Sequence, residues 1–497
     1  MDDITVAVAS TSITKNIRLL TEATKRLFLI AQNISATFEL DKTELIHFHR
    51  KRQVINSPLD IQGITLEPKE IVKWLGFWLN QRLSYETHVD KRLQLASGVI
   101  QNIKRLTSSS RGLRLNQIRQ LYLSCVTTVL DYGSILWYQK YGTEKHLNKY
   151  QRFQNIAVRM ITGAYYGSPA KALEVEAAIL PCRVRHLKLA YSYALRILRL
   201  QTIHPIQECL FTSQRNESSS ILTSKFNLLA HLIDNKTQIV RLGKLLSPLT
   251  SNWRLEHSDF SWNPPWKSLN IAISIPKLEK QVLRTRHETL FSQIHPSASI
   301  IYTDGSRTIG KGSSIGFVIY LPYTREAKFY SFNLGDGVGI TDAETYCILK
   351  SIKTLKNISS SRKCYIFSDS QAALLRIKNA NNYFCHQIRR HAHNYQISME
   401  WCPGHIGIEG NEIAHGLARK GAELEIHPQN IYITISVLKE NANQEILKAW
   451  RKIWNVELLR EEEGRIARGL EISAEKHKQH ISKLVWASEI CEPIFTK

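Results

Sequence analysis

The sequence of 497 residues contains no run of ~18 or more apolar residues, the length a helix needs to cross a membrane. Its first residues, MDDITVAVAS, carry acidic side chains where a secretory signal has basic ones. The eight cysteines form no CxxC pair, which is typical of free thiols in a reducing compartment rather than of a disulfide scaffold. These absences predict an intracellular protein with no signal peptide and no transmembrane segment, in the nucleus or the cytoplasm.

Acidic residues are scarce relative to basic ones. The chain has 66 Lys and Arg against 43 Asp and Glu, a formal net charge of +23. With 43% hydrophobic and 22% charged residues, the composition is that of a globular protein, of about three domains for this length. A positive excess of this size favours polyanionic partners, above all nucleic acids.

Much of the excess lies in residues 71–200, which hold 20 Lys and Arg against 6 Asp and Glu. The basic residues are interleaved with apolar ones at helical spacing, which predicts amphipathic helices over 86–201. We expect them to bind nucleic-acid phosphates, although ordinary solvated helix faces would have the same pattern. The candidate phosphate-binding residues are Lys104, Arg105, Arg111 and Arg114.

The regions that follow these helices have different sequence patterns. Residues 202–295 are polar, lose their periodicity and predict a linking region. Short β-branched runs then alternate with helical patterns over 296–425, in the order β-β-β-α-β-α-β-α, which predicts an α/β fold with a mixed sheet flanked by helices. Thr341 is the expected N-cap of the first of these helices. Two amphipathic helices, 434–455 and 456–472, are expected in a helical extension over 426–497.

Three acidic residues lie at the ends of elements in the α/β region. Asp304 and Asp369 each follow a short apolar strand, and Glu344 lies in the first turn of a helix. If the two strands are neighbours, the three carboxylates meet and repel one another unless a cation lies among them. Mg²⁺ suits such a site because it accepts few protein oxygen ligands and retains water.

Four sequence blocks of this region resemble the signatures of a type-1 ribonuclease H, in that family's order and spacing. They are YTDGS (302–306), DAETY (342–346), FSDSQAAL (367–374) and WCPGHIGIEGNEIAHGLA (401–418). The resemblance implies an RNase H fold and hydrolysis of the RNA strand of RNA–DNA hybrids with two Mg²⁺ ions, or Mn²⁺. It places Asp304, Glu344 and Asp369 on three metal-binding carboxylates. It places His405 on the histidine that assists water activation or product release.

One position departs from the family. His415 stands where the family has a fourth metal-binding aspartate. An imidazole can still bind a divalent ion, but it is neutral and suits Mn²⁺ better than Mg²⁺. Ser306 and Gln371, which flank the catalytic blocks, are candidates for contacts with the hybrid. A zinc site among Cys385, His386, His391, His393, Cys402 and His405 is disfavoured, since their spacing matches no finger or ribbon.

The N-terminal region resembles a different family. MDDITVAVAS, with Asp2 and Asp3, is similar to the catalytic hairpin of non-LTR retrotransposon reverse transcriptases, and Lys42 falls on a palm-loop lysine. The segment VKWLGFWLNQRLSYETHV (72–89) resembles their primer-grip hairpin. The resemblance implies a palm remnant over 1–85 followed by a thumb and connection over 86–201. Because the other catalytic aspartate of that family would lie further upstream, we expect a truncated polymerase without activity.

Three functions remain open on the sequence alone. The leading hypothesis is a metal-dependent endonuclease that cuts the RNA of RNA–DNA hybrids within a retrotransposon reverse transcriptase. The second is a catalytically decayed nucleic-acid-binding remnant, which His415 favours. The third is a transposase or nuclease with the same core fold, which the GHIGIEGNE block disfavours.

Overall fold

The computed structural model describes residues 4–49, 56–107, 112–138, 143–198, 200, 254–255, 271–276, 279–308, 310–361, 363–379, 383–426 and 432–466. The chain forms two compact units, whose longest continuous segments are residues 1–194 and 246–442. Most of the predicted linking region lies outside the described residues, as do Asp2, Asp3 and Arg111.

The first unit is mainly helical, as the sequence predicts. Its helices are α1 (Ile13–Asn33), α2 (Glu86–Arg105), α3 (Leu115–Leu121), α4 (Thr127–Leu130), α5 (Thr143–Thr162), α6 (Ala170–Glu176) and α7 (Cys182–Leu198). Its strands form two antiparallel hairpins, β1 (Leu59–Ile61) with β2 (Ile64–Leu66) and β3 (Ile71–Trp74) with β4 (Phe77–Asn80).

An ion pair fixes helix α7 within the first unit. The Arg185 guanidinium donates to both carboxylate oxygens of Asp131, over 2.6 and 3.0 Å. Both side chains are buried, so removal of either partner would leave an unpaired charge inside the unit. The pair therefore fixes α7 against the turn that follows α4.

The second unit contains the α/β region. Its strands are β5 (Arg254–Leu255), β6 (Ala272–Ser274), β7 (Ser299–Thr308), β8 (Gly312–Tyr320), β9 (Ala327–Gly335), β10 (Lys363–Ser368), β11 (Gln396–Trp401) and β12 (Tyr432–Ile433). Its helices are α8 (Lys280–Gln293), α9 (Ile340–Ile358), α10 (Gln371–Asn379), α11 (Tyr383–Asn394) and α12 (Glu409–Gly421). Helix α13 (Ile435–Ile466) begins in this unit.

Six strands form one mixed sheet in the order β6-β11-β10-β7-β8-β9. Strands β7, β8 and β9 form an antiparallel meander, while β10, β11 and β6 are added in parallel. This arrangement confirms the predicted α/β class with a mixed sheet. Strand β6 comes from the predicted linking region and was not expected in the sheet. It has only three residues, which are too few to show a periodic pattern in the sequence.

Apolar cores cover both faces of the sheet. On one face, α9, α10 and α11 bury residues such as Ile348, Leu374 and Ile388 against the strands. Helix α12 packs on the other face, where a Cβ at Gly316 of β8 would lie 2.1 Å from the backbone nitrogen of Ala418. A side chain at Gly316 would therefore push α12 away from the strands that it covers.

Two local predictions are wrong. Helix α9 begins at Ile340 with Gly339 as its N-cap, so Thr341 lies inside the first turn. Its carbonyl accepts the hydroxyl of Thr345, which is a contact of a helix interior. The expected break near residue 455 is also absent, because neither Asn455 nor Val456 interrupts the backbone hydrogen bonding of α13 as Pro would.

Two further expectations concern absences. Among the described residues, no helix combines the length and apolar character needed to cross a membrane. In the same part of the chain, no cysteine forms a disulfide.

Candidate catalytic site

The strand register brings Asp304 next to Asp369. The parallel pairing of β7 with β10 ends at the partners Thr303 and Ser368, and the two aspartates directly follow these partners along the chain. Strand β7 continues to Thr308 along β8 alone, so Asp304 lies inside β7 rather than at its end as predicted. The two carboxylates still meet, because the parallel ladder ends there.

Glu344 reaches the same point from α9. A Cβ at Gly305 would lie 3.1 Å from both the carboxyl carbon and the backbone nitrogen of Glu344, so this glycine permits the close approach of helix and strand. Carboxylate oxygens of Asp304, Glu344 and Asp369 all lie within 4.8 Å of one another. The structure therefore brings together the three acids that the sequence singles out.

Burial, together with repulsion at Asp304 and Glu344, disfavours ionisation of the three carboxylates. Burial, and then the charge of Asp369, raise the pKa of Asp304 to about 6. Burial, with the charges of Asp304 and Asp369, raises the pKa of Glu344 well above its usual range. Burial also raises the pKa of Asp369. A positive charge placed among the three oxygens would favour the ionised carboxylates and so oppose these shifts.

The donor set suits a hard divalent cation. Glu344 Oε2 is buried and has no hydrogen-bond partner among the described residues, so one ligand atom is available. Carboxylate oxygens are the ligands that Mg²⁺ and Mn²⁺ prefer. Within the described part of the chain, the Cys and His residues of 385–405 form no comparable group.

Two histidines lie beside the acidic trio. His415 Nδ1 lies 3.0 Å from Asp304 Oδ2, and this hydrogen bond opposes the effect of burial on the pKa of that aspartate. His405 is exposed in the turn after β11, where its ring lies 5.2 Å from that of His415, centroid to centroid. His415 thus binds a trio carboxylate directly, and its role as a metal ligand stays a prediction.

Asn411 is a site residue that sequence reasoning missed. Its buried side chain hydrogen bonds to Asp369 and lowers the pKa of that carboxyl against the effect of burial. The Trp401 indole donates to the backbone carbonyl of Asp369 over 2.9 Å. Together they fix Asp369 from α12 and β11. The GNE block contains Asn411, but its contact with Asp369 depends on how α12 packs.

Asp342 is a second residue that the sequence did not single out. It precedes Glu344 by two positions in the first turn of α9 and is 1% exposed. Arg376 of α10 pairs with it over 2.5 Å, and the Ser436 hydroxyl of α13 also donates to it. This buried carboxylate therefore ties three helices together next to the acidic trio.

We expect Asp342→Ala to destabilise the second unit by about 3 kcal/mol, because it leaves Arg376 without its buried partner and Ser436 without an acceptor. Glu440→Ala is the matched control. Glu440 pairs with Arg307 over 3.6 Å at the surface, and its loss should cost less than ~0.5 kcal/mol. Urea unfolding of the full chain measures both, and equal effects would remove Asp342 from this structural role.

The remaining predicted contacts are distributed over both units. Ser306 is half-buried on β7 just beyond Asp304, and Gln371 is exposed at the start of α10, two residues after Asp369. Lys104, Arg105 and Arg114 are exposed at the end of α2 and just before α3. Their nucleic-acid contacts stay predictions, as does the role of Lys42, which is exposed in a 3-10 turn.

The part of the chain that contains this site is similar to a known protein family. The family model described as RNase H matches residues 296–423. That range contains the whole acidic trio together with His405, Asn411 and His415. Residues 296–423 form an RNase H domain. The RNase H domain comprises strands β7 to β11 and helices α9 to α12, while β6 and α8 lie outside the match.

A curated relative gives a second similarity. The "Probable RNA-directed DNA polymerase from transposon BS" of Drosophila melanogaster is 26% identical to this chain over 112 residues. The aligned part is 22% of this chain and only 12% of the length of that protein.

Proposed function

We propose that the RNase H domain hydrolyses the RNA strand of RNA–DNA hybrids endonucleolytically, with two divalent ions held by Asp304, Glu344 and Asp369. The observation that carries the proposal is the meeting of these three carboxylates within 4.8 Å at the end of the β7–β10 ladder. The similarity to a transposon polymerase supports a retrotransposon reverse transcriptase as the setting of the domain.

The chemistry divides between the ions and the side chains. When bound, the ions lower the pKa of the attacking water and stabilise the charge on the leaving 3′ oxygen. Asp304, Glu344 and Asp369 supply the oxygen ligands, and Asn411 and Trp401 fix Asp369 so that its oxygens face the other two. Preorganised ligands of this kind bind the transition state without reorganising.

Two further groups extend the proposal. His405 is exposed beside the site, where an imidazole can accept a proton from water or give one to the leaving group. Ser306 and Gln371 flank the trio and are proposed to contact the hybrid. The 2′-hydroxyl next to the scissile phosphate is what distinguishes RNA from DNA for such contacts.

The second candidate is nucleic-acid binding without turnover. It is favoured by His415, whose ring adds no negative charge where the RNase H family has an aspartate. The trio opposes it, because three closely spaced carboxylates, two of them buried, cost stability that a purely binding protein would not need.

Cleavage of end-labelled substrates by the full chain tests the proposal. We expect an RNA–DNA hybrid to be cut within its RNA strand in Mg²⁺ or Mn²⁺, and double-stranded RNA and single-stranded RNA to remain intact. Asp304→Asn is the matched control, because it removes a charge with little change in volume, and it should be inactive. Equal cutting of double-stranded RNA, or full activity of the variant, would contradict the proposal. Hybrid binding without cleavage in either metal would favour the second candidate.

A further inference from the structure

Beyond the buried Asp342 and Glu344 at the start of α9, the helices on one face of the sheet contain no acidic residue. Residues 345–398, which contain most of α9 and all of α10 and α11, hold nine Lys and Arg but one Asp or Glu. That single acid is Asp369 of the catalytic trio. The outer side of these helices therefore carries cations without the interspersed acids of an ordinary solvated surface.

Four of these cations form a continuous group, here called the α9–α11 basic face: Lys350, Lys353 and Lys356 of α9 and Arg390 of α11. Lys353 and Arg390 are exposed, and the other two are half-buried. Lys350 lies over the ring of Phe332, 5.0 Å from its centroid, which orients the ammonium group without neutralising it. Among the described residues, no Asp or Glu forms an ion pair with any of the four.

The electrostatics of His391 show that the cations converge. Burial, followed by the charges of Lys356, Lys353 and Arg390, lowers the pKa of His391 to about 4. The neutral imidazole accepts a hydrogen bond from Lys356, with 2.9 Å between Nζ and Nδ1. Burial and the charges of Lys350 and Lys356 likewise lower the pKa of Lys353. Cations held this close repel one another, and an added anion would relieve that repulsion.

The basic face is separate from the catalytic site. Lys353 follows Glu344 by nine residues, which is about 14 Å along the axis of α9 and about half a turn out of phase. Glu344 faces the sheet and the trio, and Lys353 faces the opposite side of the same helix. A duplex bound over the trio would have to bend to reach Lys353. Bending a short duplex costs free energy, so one straight duplex does not contact both places.

We propose that the α9–α11 basic face binds the phosphate backbone of a second nucleic-acid segment, apart from the one in the catalytic site. A nucleic acid is the occupant that the observations favour, since it supplies closely spaced phosphates to a row of unneutralised cations. The inference goes beyond the proposed cleavage and does not need it, because binding is measured without divalent ions.

Equilibrium binding of the full chain tests this surface. The triple variant K350Q/K353Q/R390Q is compared with K311Q/R419Q/K420Q, which neutralises three exposed cations of the same unit away from this face. Fluorescence anisotropy with a labelled 30-mer hybrid in EDTA gives the dependence of affinity on salt. We expect the log–log slope to fall by about 2 to 3 in the first variant, at ~0.9 per phosphate contact, and by less than ~0.5 in the control.

The other outcomes are equally defined. Equal slopes for the two variants would mean that net charge alone matters, and an unchanged slope would mean an ordinary solvated surface; either overturns the proposal. If K350Q/K353Q/R390Q loses binding to vesicles of anionic lipid but keeps the wild-type affinity for the hybrid, the face binds a membrane. That result would also overturn the proposal. If the slope falls as expected while the wild-type chain does not cleave hybrids, the basic face stands and only the proposed catalysis fails.

Discussion

Glu344→Gln is expected to abolish hybrid cleavage and, at the same time, to stabilise the protein in the absence of divalent ions. Glu344 is buried, lies within reach of two other carboxylates and has an oxygen with no hydrogen-bond partner among the described residues. The amide keeps the acceptor for the backbone N–H of Gly305 and places a donor among the oxygens of Asp304 and Asp369. It removes the charge that burial and repulsion disfavour most.

The gain in stability should depend on pH. Because the pKa of Glu344 is raised in the folded state, ionisation of this group costs stability, and the cost grows as the pH rises above the unfolded value of about 4.5. In EDTA the melting temperature of Glu344→Gln should exceed that of the wild type by several degrees at pH 8 and by much less at pH 5. Glu423→Gln, at an exposed position, is the control and should leave both values unchanged.

Catalysis should change in the opposite direction. Loss of one oxygen ligand is expected to reduce the cleavage rate by about a thousandfold or more, equivalent to ~4 kcal/mol of transition-state stabilisation. Added Mg²⁺ should stabilise the wild type and have little effect on the variant, since binding to the folded state raises stability by mass action. A variant that retains cleavage, or that melts below the wild type in EDTA at pH 8, would show that Glu344 is not a strained metal ligand.

The sequence could predict those parts of the site that depend on local pattern, but not those that depend on long-range packing. Asp304 and Asp369 follow apolar strand runs, so parallel pairing of those strands was enough to predict that they meet. Asp342 could not be assigned in this way, because its partners Arg376 and Ser436 lie 34 and 94 residues further along the chain. A residue that depends on tertiary packing alone has no local signature.

Two other differences have local causes. Strand β6 was not predicted, because its three residues join the sheet only through parallel pairing with β11. Residue type alone favours Thr341 as the N-cap of α9, although Gly339 in an extended conformation begins the helix. Glycine is itself a favoured N-cap residue, and the contact of Ser436 with Asp342 holds the first turn that follows it.

His415→Asp is the second substitution for which we expect a large effect. In the wild type, His415 Nδ1 hydrogen bonds to Asp304 across 3.0 Å, so the ring positions this carboxylate without adding negative charge. An aspartate there would place a fourth carboxylate beside the trio. Repulsion in the metal-free state would increase, and so would the attraction for divalent cations.

We therefore expect His415→Asp to melt at a lower temperature than the wild type in EDTA and to gain more stability from Mg²⁺. The Mg²⁺ concentration that gives half-maximal cleavage should fall by about tenfold or more, equivalent to at least ~1.4 kcal/mol of binding. His415→Asn is the matched control, because its amide can donate to Asp304 but adds no charge, and it should retain the metal requirement of the wild type. If the aspartate and asparagine variants show the same Mg²⁺ dependence, position 415 does not face the ions, and its histidine acts on the site only through the hydrogen bond to Asp304.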